Sequence, residues 1–304
     1  MASIRVIGNG VVGRRVSRFI AGRDQPPGVL RANPGIDVVV IASGGPHASL
    51  ARSALQQGVG VVTAGDETND CCRLLELAGV AESAGVPLVV GAAMSPGLSG
   101  LLVTSMLPLF VRCTDIHIAM HGTAGPACAR AYHRSLSGRS RLWRDGEMRT
   151  APGGSGRELL WFPEPVGSKD CYLADIASPI LLQRSLPSVD RISVRRSARR
   201  IDRLTARMPM LRPPHAEGNL GALRVELRGL ESNGRQRTVV WGVADQVGTI
   251  SAAVASVFAE AAASGELPAG LTLAGDGVCE QLHLLRRVTA RGIKLQEYDG
   301  SLTC

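Results

Sequence analysis

A short apolar run, Ile4-Arg5-Val6-Ile7, leads directly into Gly8-Asn9-Gly10-Val11-Val12-Gly13, after which apolar residues recur at helical spacing as far as Ile20. A buried strand that turns through G-x-G-x-x-G into a helix is the opening corner of a dinucleotide-binding βαβ unit. Gly8 permits the tight turn, Gly10 lets backbone approach a pyrophosphate, and Gly13 lets helix pack on strand. The helix start at Val11 and Val12 supplies N–H donors to an anion. The alternative is a tight βα turn that packs helix on strand and binds nothing.

The other half of such a unit is cut short. A strand ending in an acidic residue or an arginine is expected about 20 residues on, where it reads the adenosine ribose. Only residues 21–36 separate the first helix from the next clear strand, and they contain Pro26, Pro27 and Pro34. Three prolines do not fit a full strand plus a full crossover helix. An abbreviated strand, Gly28 to Ala32, puts Arg31 near its end. Arg31 or Arg23 either meets a 2′-phosphate, which favours NADP, or is simply solvated.

Further strands are expected at Asp37–Ala42, Gly60–Thr63 and Pro87–Val90, with helical segments at Ala48–Gln57 and Asp70–Ala84 between them. This alternation predicts an α/β fold, a Rossmann-type parallel sheet within residues 1–112. From Cys113 the spacing lengthens: Ile116–Met120, Leu159–Phe162, Ile192–Val194, Leu223–Arg228 and Arg237–Val243 read as strands, with a loop at Ala151–Gly156. Residues 113–245 are therefore expected to form a second, α+β domain with a largely antiparallel sheet. Two helices in residues 246–304, Gly248–Ala263 and Asp276–Arg291, are expected to return to the first domain.

Composition narrows the function classes. The 304 residues are 45% hydrophobic and 20% charged, as expected of a soluble globular protein. No apolar run approaches the roughly 18 residues of a membrane span, no signal region precedes the first strand, and a cytoplasmic location is expected. The net charge is +8, but among 34 basic residues only Lys169 and Lys294 are lysine. With aromatics at 3%, this reads as arginine-rich codon usage rather than a nucleic-acid surface. The seven cysteines form no CxxC pair, the six histidines lack ligand spacing, and no metal is expected.

With the glycine corner, "ASGGPHASLARSALQQGVGVVTAGDE" (Ala42–Glu67), "AGVPLVVGAAMSPGLSGLL" (Ala84–Leu102), "GVADQVGTISAAVASV" (Gly242–Val257) and "RGIKLQEYDG" (Arg291–Gly300), the chain resembles the saccharopine dehydrogenase-like oxidoreductases. The resemblance implies an NAD- or NADP-binding Rossmann domain, a sheet-rich second domain that often serves dimerisation, and chemistry on the C–N bond of an amino acid or imine. A homodimer acting on a small, carboxylate-bearing substrate is the corresponding expectation. Related sugar oxidoreductases place Glu-Lys-Pro after a comparable strand; Thr63-Ala64-Gly65-Asp66-Glu67 has no lysine to act as an acid there.

Ligands of an open parallel sheet lie beyond the carboxyl ends of its strands. There, Ser43, Gly44 and Gly45 are placed to pass close to the nicotinamide, and His47 is either a proton donor or a helix-start residue. Asp66 and Glu67 either orient a substrate amine or cap a helix. Ser95-Pro96 reads as a helix start facing an anion or carbonyl oxygen, or as simple capping. In His121–Arg139, Arg130, His133 and Arg134 share one helix face, which suits a substrate carboxylate plus a proton donor, or a solvated basic helix. Cys128 in the first turn is expected to have a lowered pKa. Arg196, Arg199, Arg200, Arg203 and Arg207 fall at helical spacing, with Ile201, Leu204, Met208 and Leu211 as a stripe facing the core and the arginines either solvated or meeting acidic ligands or a nucleic-acid backbone. The leading expectation is an NAD(P)-dependent oxidoreductase. A cofactor-free isomerase or cyclase in the same cleft, or a non-catalytic nucleotide sensor or scaffold, are the alternatives.

Overall fold

A computed structural model describes residues 3–21, 37–211, 213–276 and 281–299. The strands are β1 Ile4–Ile7, β2 Val38–Ile41, β3 Gly60–Thr63, β4 Pro87–Val90, β5 Arg112–His121, β6 Arg139–Arg144, β7 Glu147–Pro152, β8 Glu158–Phe162, β9 Gly167–Leu173, β10 Arg191–Ser197, β11 Leu220–Leu230, β12 Gln236–Gln246, β13 Gly270–Leu273 and β14 Leu295–Asp299. The helices are α1 Val11–Ala21, α2 Ala48–Gln56, α3 Thr68–Leu75, α4 Ala78–Ser83, α5 Ser99–Met106, α6 Pro126–Ser135, α7 Ser178–Ser185, α8 Arg200–Leu204, α9 Val247–Ala263 and α10 Gln281–Thr289.

Five strands form a wholly parallel sheet in the order β1-β2-β3-β4-β13. β2 and β3 are buried along their whole length, because a parallel sheet covered on both faces needs an apolar side chain at every position. Val38, Val40, Val62 and Val89 join Val16 of α1 and the whole apolar length of α9. Val39, Ile41, Val61 and Leu88 join Leu55 of α2 and Leu74 of α3 on the other face. The helices thus change face between β1 and β2. α1 and α2 lie on opposite faces of the sheet, so the crevice at the carboxyl ends of β1 and β2 is a topological switch point.

The second sheet runs β14-β12-β11-β5-β10-β6-β7, with the β8–β9 hairpin attached through β9 to β10. β5 and β10 pair in parallel and its other pairs are antiparallel, a Rossmann-type sheet beside a mixed α+β unit. One apolar core connects the two sheets through α5 and α9: Leu98, Leu101 and Leu102 meet Ile116, Val225 and Val243 in the same cluster as Val40 and Val62.

Several sequence expectations are corrected. The stretch 191–207 is not one amphipathic helix: residues 191–197 are β10, and only Arg200–Leu204 is helical. Its supposed core stripe, Ile201, Leu204, Met208 and Leu211, is exposed, while Ala206 packs inward and Arg203 lies over the Tyr172 ring at 5.3 Å. Asp70–Ala84 splits into α3 and α4. Ala151 and Pro152, expected in a loop, end β7. The C-terminal stretch supplies strands as well as helices, β13 to the first sheet and β14 to the second.

Candidate functional site

The three glycines of the opening corner do different things. A Cβ on Gly8, whose φ is +128°, would stand 2.6 Å from the Ala42 carbonyl, so the turn lies against the end of β2. A Cβ on Gly13 would fall on the carbonyl oxygen of Gly8, because α1 packs directly on its own turn. Gly10 is different: a Cβ there meets nothing within 4 Å. The protein itself does not need that side chain to be missing. Gly10, Val11 and Val12 instead border a cavity of about 520 Å³ at the switch point, and among the described residues no side chain comes within 4 Å of the Cβ position of Gly10.

The cavity is walled by the loops after β2, β3 and β4 and by the start of α6. Gly44 admits α6 closely, since a Cβ on it would be 2.7 Å from Ala127; a Cβ on Gly125 would be 2.8 Å from Val11. The first turn of α6 therefore sits beside the glycine corner. Arg15 holds α1 from behind, bonding Thr249 at 2.7 Å and Gln246 at 2.5 Å at the start of α9.

Two of the acidic residues at this cavity are spent on helix starts. Asp70 accepts from the backbone N–H groups of His47 (2.8 Å) and Ala48 (3.1 Å), capping α2. Glu67 accepts from those of Asn69 and Asp70, capping α3, which is the capping alternative for this residue. Asp66 instead accepts from Arg196 Nη2 at 2.8 Å. Arg196 is 5% exposed, its guanidinium lies 4.3 Å from the centre of the Tyr132 ring, and its Nε is buried without a hydrogen-bond partner. Burial raises the Tyr132 hydroxyl to about 12 against the opposing pull of Arg196, so the ring is a neutral platform.

His47 is 3% exposed and borders the cavity. Its Nε2 donates to the Ser43 carbonyl at 2.9 Å, and its Nδ1 has no hydrogen-bond partner among the described residues and lies 4.0 Å from the Asp70 carboxylate. Ser95 is a cavity residue too, but it is no helix cap. Its Oγ lies 2.9 Å from both Ser99 Oγ and Ser178 Oγ. Ser99 commits its one hydrogen to the Pro96 carbonyl, so the bonds run Ser178 to Ser95 to Ser99 to Pro96. What remains at Ser95 is a lone pair, an acceptor that suits an N–H donor rather than an anion.

No protein-family model matches the chain, and no curated protein matches it by sequence. Solved structures do match. Apo saccharopine dehydrogenase (L-Glu forming) from Saccharomyces cerevisiae superposes with a TM-score of 0.69 at 11% identity, over 98% of this chain and 99% of that one. The chain has the saccharopine dehydrogenase fold. Homospermidine synthase from Legionella pneumophila, solved with NAD, shares it with a TM-score of 0.70 at 11% identity, over 99% and 92% of the two chains. C. glutamicum DAP dehydrogenase, in complex with DAP, follows at 0.52 and 14%, over 93% and 95%.

Within the saccharopine dehydrogenase fold the expected site residues divide. Gly10, Val11, Val12, Ser43, Gly44, Gly45, His47, Asp66, Ser95, Arg130 and Arg134 all border the one cavity; Gly8, Asn9 and Gly13 shape its corner. His133 does not join them. It is 6% exposed, and its Nε2 bonds the carbonyls of Thr205 and Met208, so it braces the segment after α8 rather than facing the cavity. Cys128 borders the cavity with a raised pKa, since burial outweighs both Arg196 and the helix field expected to lower it. Arg31 and Arg23 lie outside the described residues. Arg196 is not on a solvated helix face; the alternation Ile192, Val194, Arg196 along β10, all buried, is the signal that marks it as inward-facing. Among the described residues no cluster fits a metal ion, and no helix is long and apolar enough to cross a membrane.

Proposed function

We propose that this chain is an NAD(P)-dependent oxidoreductase acting at a carbon bonded to nitrogen, in an amino acid, an imine or a related keto acid. The observation that carries this reading is Gly10: its neighbours Gly8 and Gly13 are closed by the protein, whereas the space over Gly10 opens into the cavity. That is where a pyrophosphate approaches backbone in such a corner. Two structures of the same fold support it, one solved with NAD and one, a dehydrogenase, with DAP.

NADP or NAD, when bound, supplies the hydride chemistry. The N–H groups at the start of α1 would hold its diphosphate, and the Ser43-Gly44-Gly45 loop would pass its nicotinamide half. The chain's own part is to align the substrate and move a proton. Arg130 and Arg134, with no acidic partner among the described residues, are the cations that meet a substrate at the exposed side of the cavity. Asp66 and the Ser95 lone pair serve a substrate amine. His47, the histidine that borders the cavity, carries the proton; His47→Asn is expected to lower kcat by about 10²–10⁴-fold with unchanged dinucleotide affinity. Unchanged turnover in that variant removes His47 from the reaction.

The reading is tested by fluorescence titration with NADPH and NADH, followed by loss of absorbance at 340 nm on adding an imine or keto acid. Binding and turnover are the expected results. Binding without turnover across a broad panel leaves a nucleotide sensor, and no binding of either dinucleotide leaves a cofactor-free enzyme.

A further inference from the structure

The charges around the cavity do not cancel locally. Of its carboxylates, Asp70 caps α2, Glu67 caps α3 and Asp66 is paired with Arg196. The start of α6 has no such partner: Gly125 precedes it, Pro126 occupies its first position, and no side chain caps it. The N–H groups of this ten-residue helix's first turn therefore point their partial positive charge at the cavity wall beside the glycine corner. Arg196 lines the same cavity. Its side chain is 6% exposed and its enclosed Nε has no partner, so Asp66 compensates the buried charge only in part. Tyr132, one turn along α6 from Cys128, supports the guanidinium from one face, and Asp66 grips its Nη2. The fork is held by Nη2, and Nη1 makes no hydrogen bond among the described residues.

We propose that a carboxylate of the substrate is held between the first turn of α6 and Arg196, with Asp66 as the positioning residue that keeps the guanidinium over Tyr132. This deepens the oxidoreductase reading by placing a second anion site next to the dinucleotide corner, and it makes Arg196 rather than Arg130 or Arg134 the deep anchor. The site takes an α-amino or α-keto acid carboxylate, which is planar and accepts two parallel N–H bonds.

The test is calorimetric titration of the full chain with 2-oxoglutarate, and with its dimethyl ester as the uncharged control, with and without NADPH. The acid is expected to bind and the ester not. Arg196→Met is expected to weaken the acid by about tenfold or more, the value of a lost charge-assisted hydrogen bond, and Arg196→Lys to lie between them because lysine keeps the charge without the fork. NADPH affinity stays at the wild-type value in the folded variants, which separates anchoring from a merely structural role. Wild-type protein that binds acid and ester alike, or binds neither, overturns the proposal, as does a folded Arg196→Lys that binds the acid as the wild type does. If Arg196→Met fails to fold, Asp66→Asn with Arg196→Lys decides between the same outcomes. Acid binding through Arg196 in a protein that binds neither NADPH nor NADH sinks the redox reading and leaves this site standing.

Discussion

Gly10 and Gly13 belong to one turn, yet a methyl group meets opposite fates at them: open cavity at the first, the Gly8 carbonyl at the second. The motif could be read in the sequence because each glycine answers a local demand of backbone geometry. Arg196 was harder to read because two periodicities overlap there. Its spacing to Arg199, Arg200, Arg203 and Arg207 mimics a helix, while its alternation with Ile192 and Val194 is that of a strand, and pairing with β5 and β9 decides for the strand. His133 was unreadable in another way, since its partners are carbonyls some seventy positions away in the chain. His121 yields a prediction at this scale. Burial first, and Lys169 second, hold its pKa down to about 4 from the ordinary 6.5. The unfolded chain binds that proton more readily, so the stability contributed by the neutral ring is intact above about pH 6.5 and is lost as the pH falls towards 4. In His121→Gln, urea midpoints measured across this range should fall less steeply than in the wild type. Identical slopes would contradict the assignment.

Among the elements, α9 ties the sheets together. Fourteen of its seventeen residues are buried, and an apolar sequence without a polar face is what such a helix requires. It packs on α1 and the first three strands, while β13, a few residues later, completes the parallel sheet beside β4. The first sheet therefore depends on residues more than 150 positions beyond its fourth strand. A chain ending at residue 245 should lose the cooperative thermal transition by circular dichroism and expose apolar surface that binds a hydrophobic dye; a cooperative melt like that of the full chain would show that residues 1–245 fold alone. β1 to β4 of the parallel sheet and α9 were legible from composition and period. β6, β7, β9, β13 and β14 were not, because short strands of mixed polarity such as Arg-Ser-Arg-Leu-Trp-Arg owe their state to neighbours rather than to pattern.

For the molecule as a whole, charge and chemistry separate. The excess of arginine says little by itself, and Arg203 shows why: it covers an aromatic ring rather than binding a polyanion. The positive potential that matters is local, at the switch point, where the starts of α1 and α6 and three arginines, Arg130, Arg134 and Arg196, border one cavity. Sequence reading reached that cavity from the glycine corner and from the strand ends, since the rule placing ligands beyond them needs only the order of elements. It did not reach the depth of each side chain, which depends on how the second sheet leans across the first.

The central claim is that the space over Gly10 receives the diphosphate of a nicotinamide dinucleotide. Gly10→Val measures it most directly, because a Cβ on residue 10 meets no atom of the described residues within 4 Å and the variant is expected to fold as the wild type does. Titrated with NADPH and NADH by fluorescence, the wild type is expected to bind at least one, and the variant to bind about 10–100-fold more weakly, the loss of one or two hydrogen bonds to a charged group. Equal affinity in a variant that melts with the wild type would contradict the account.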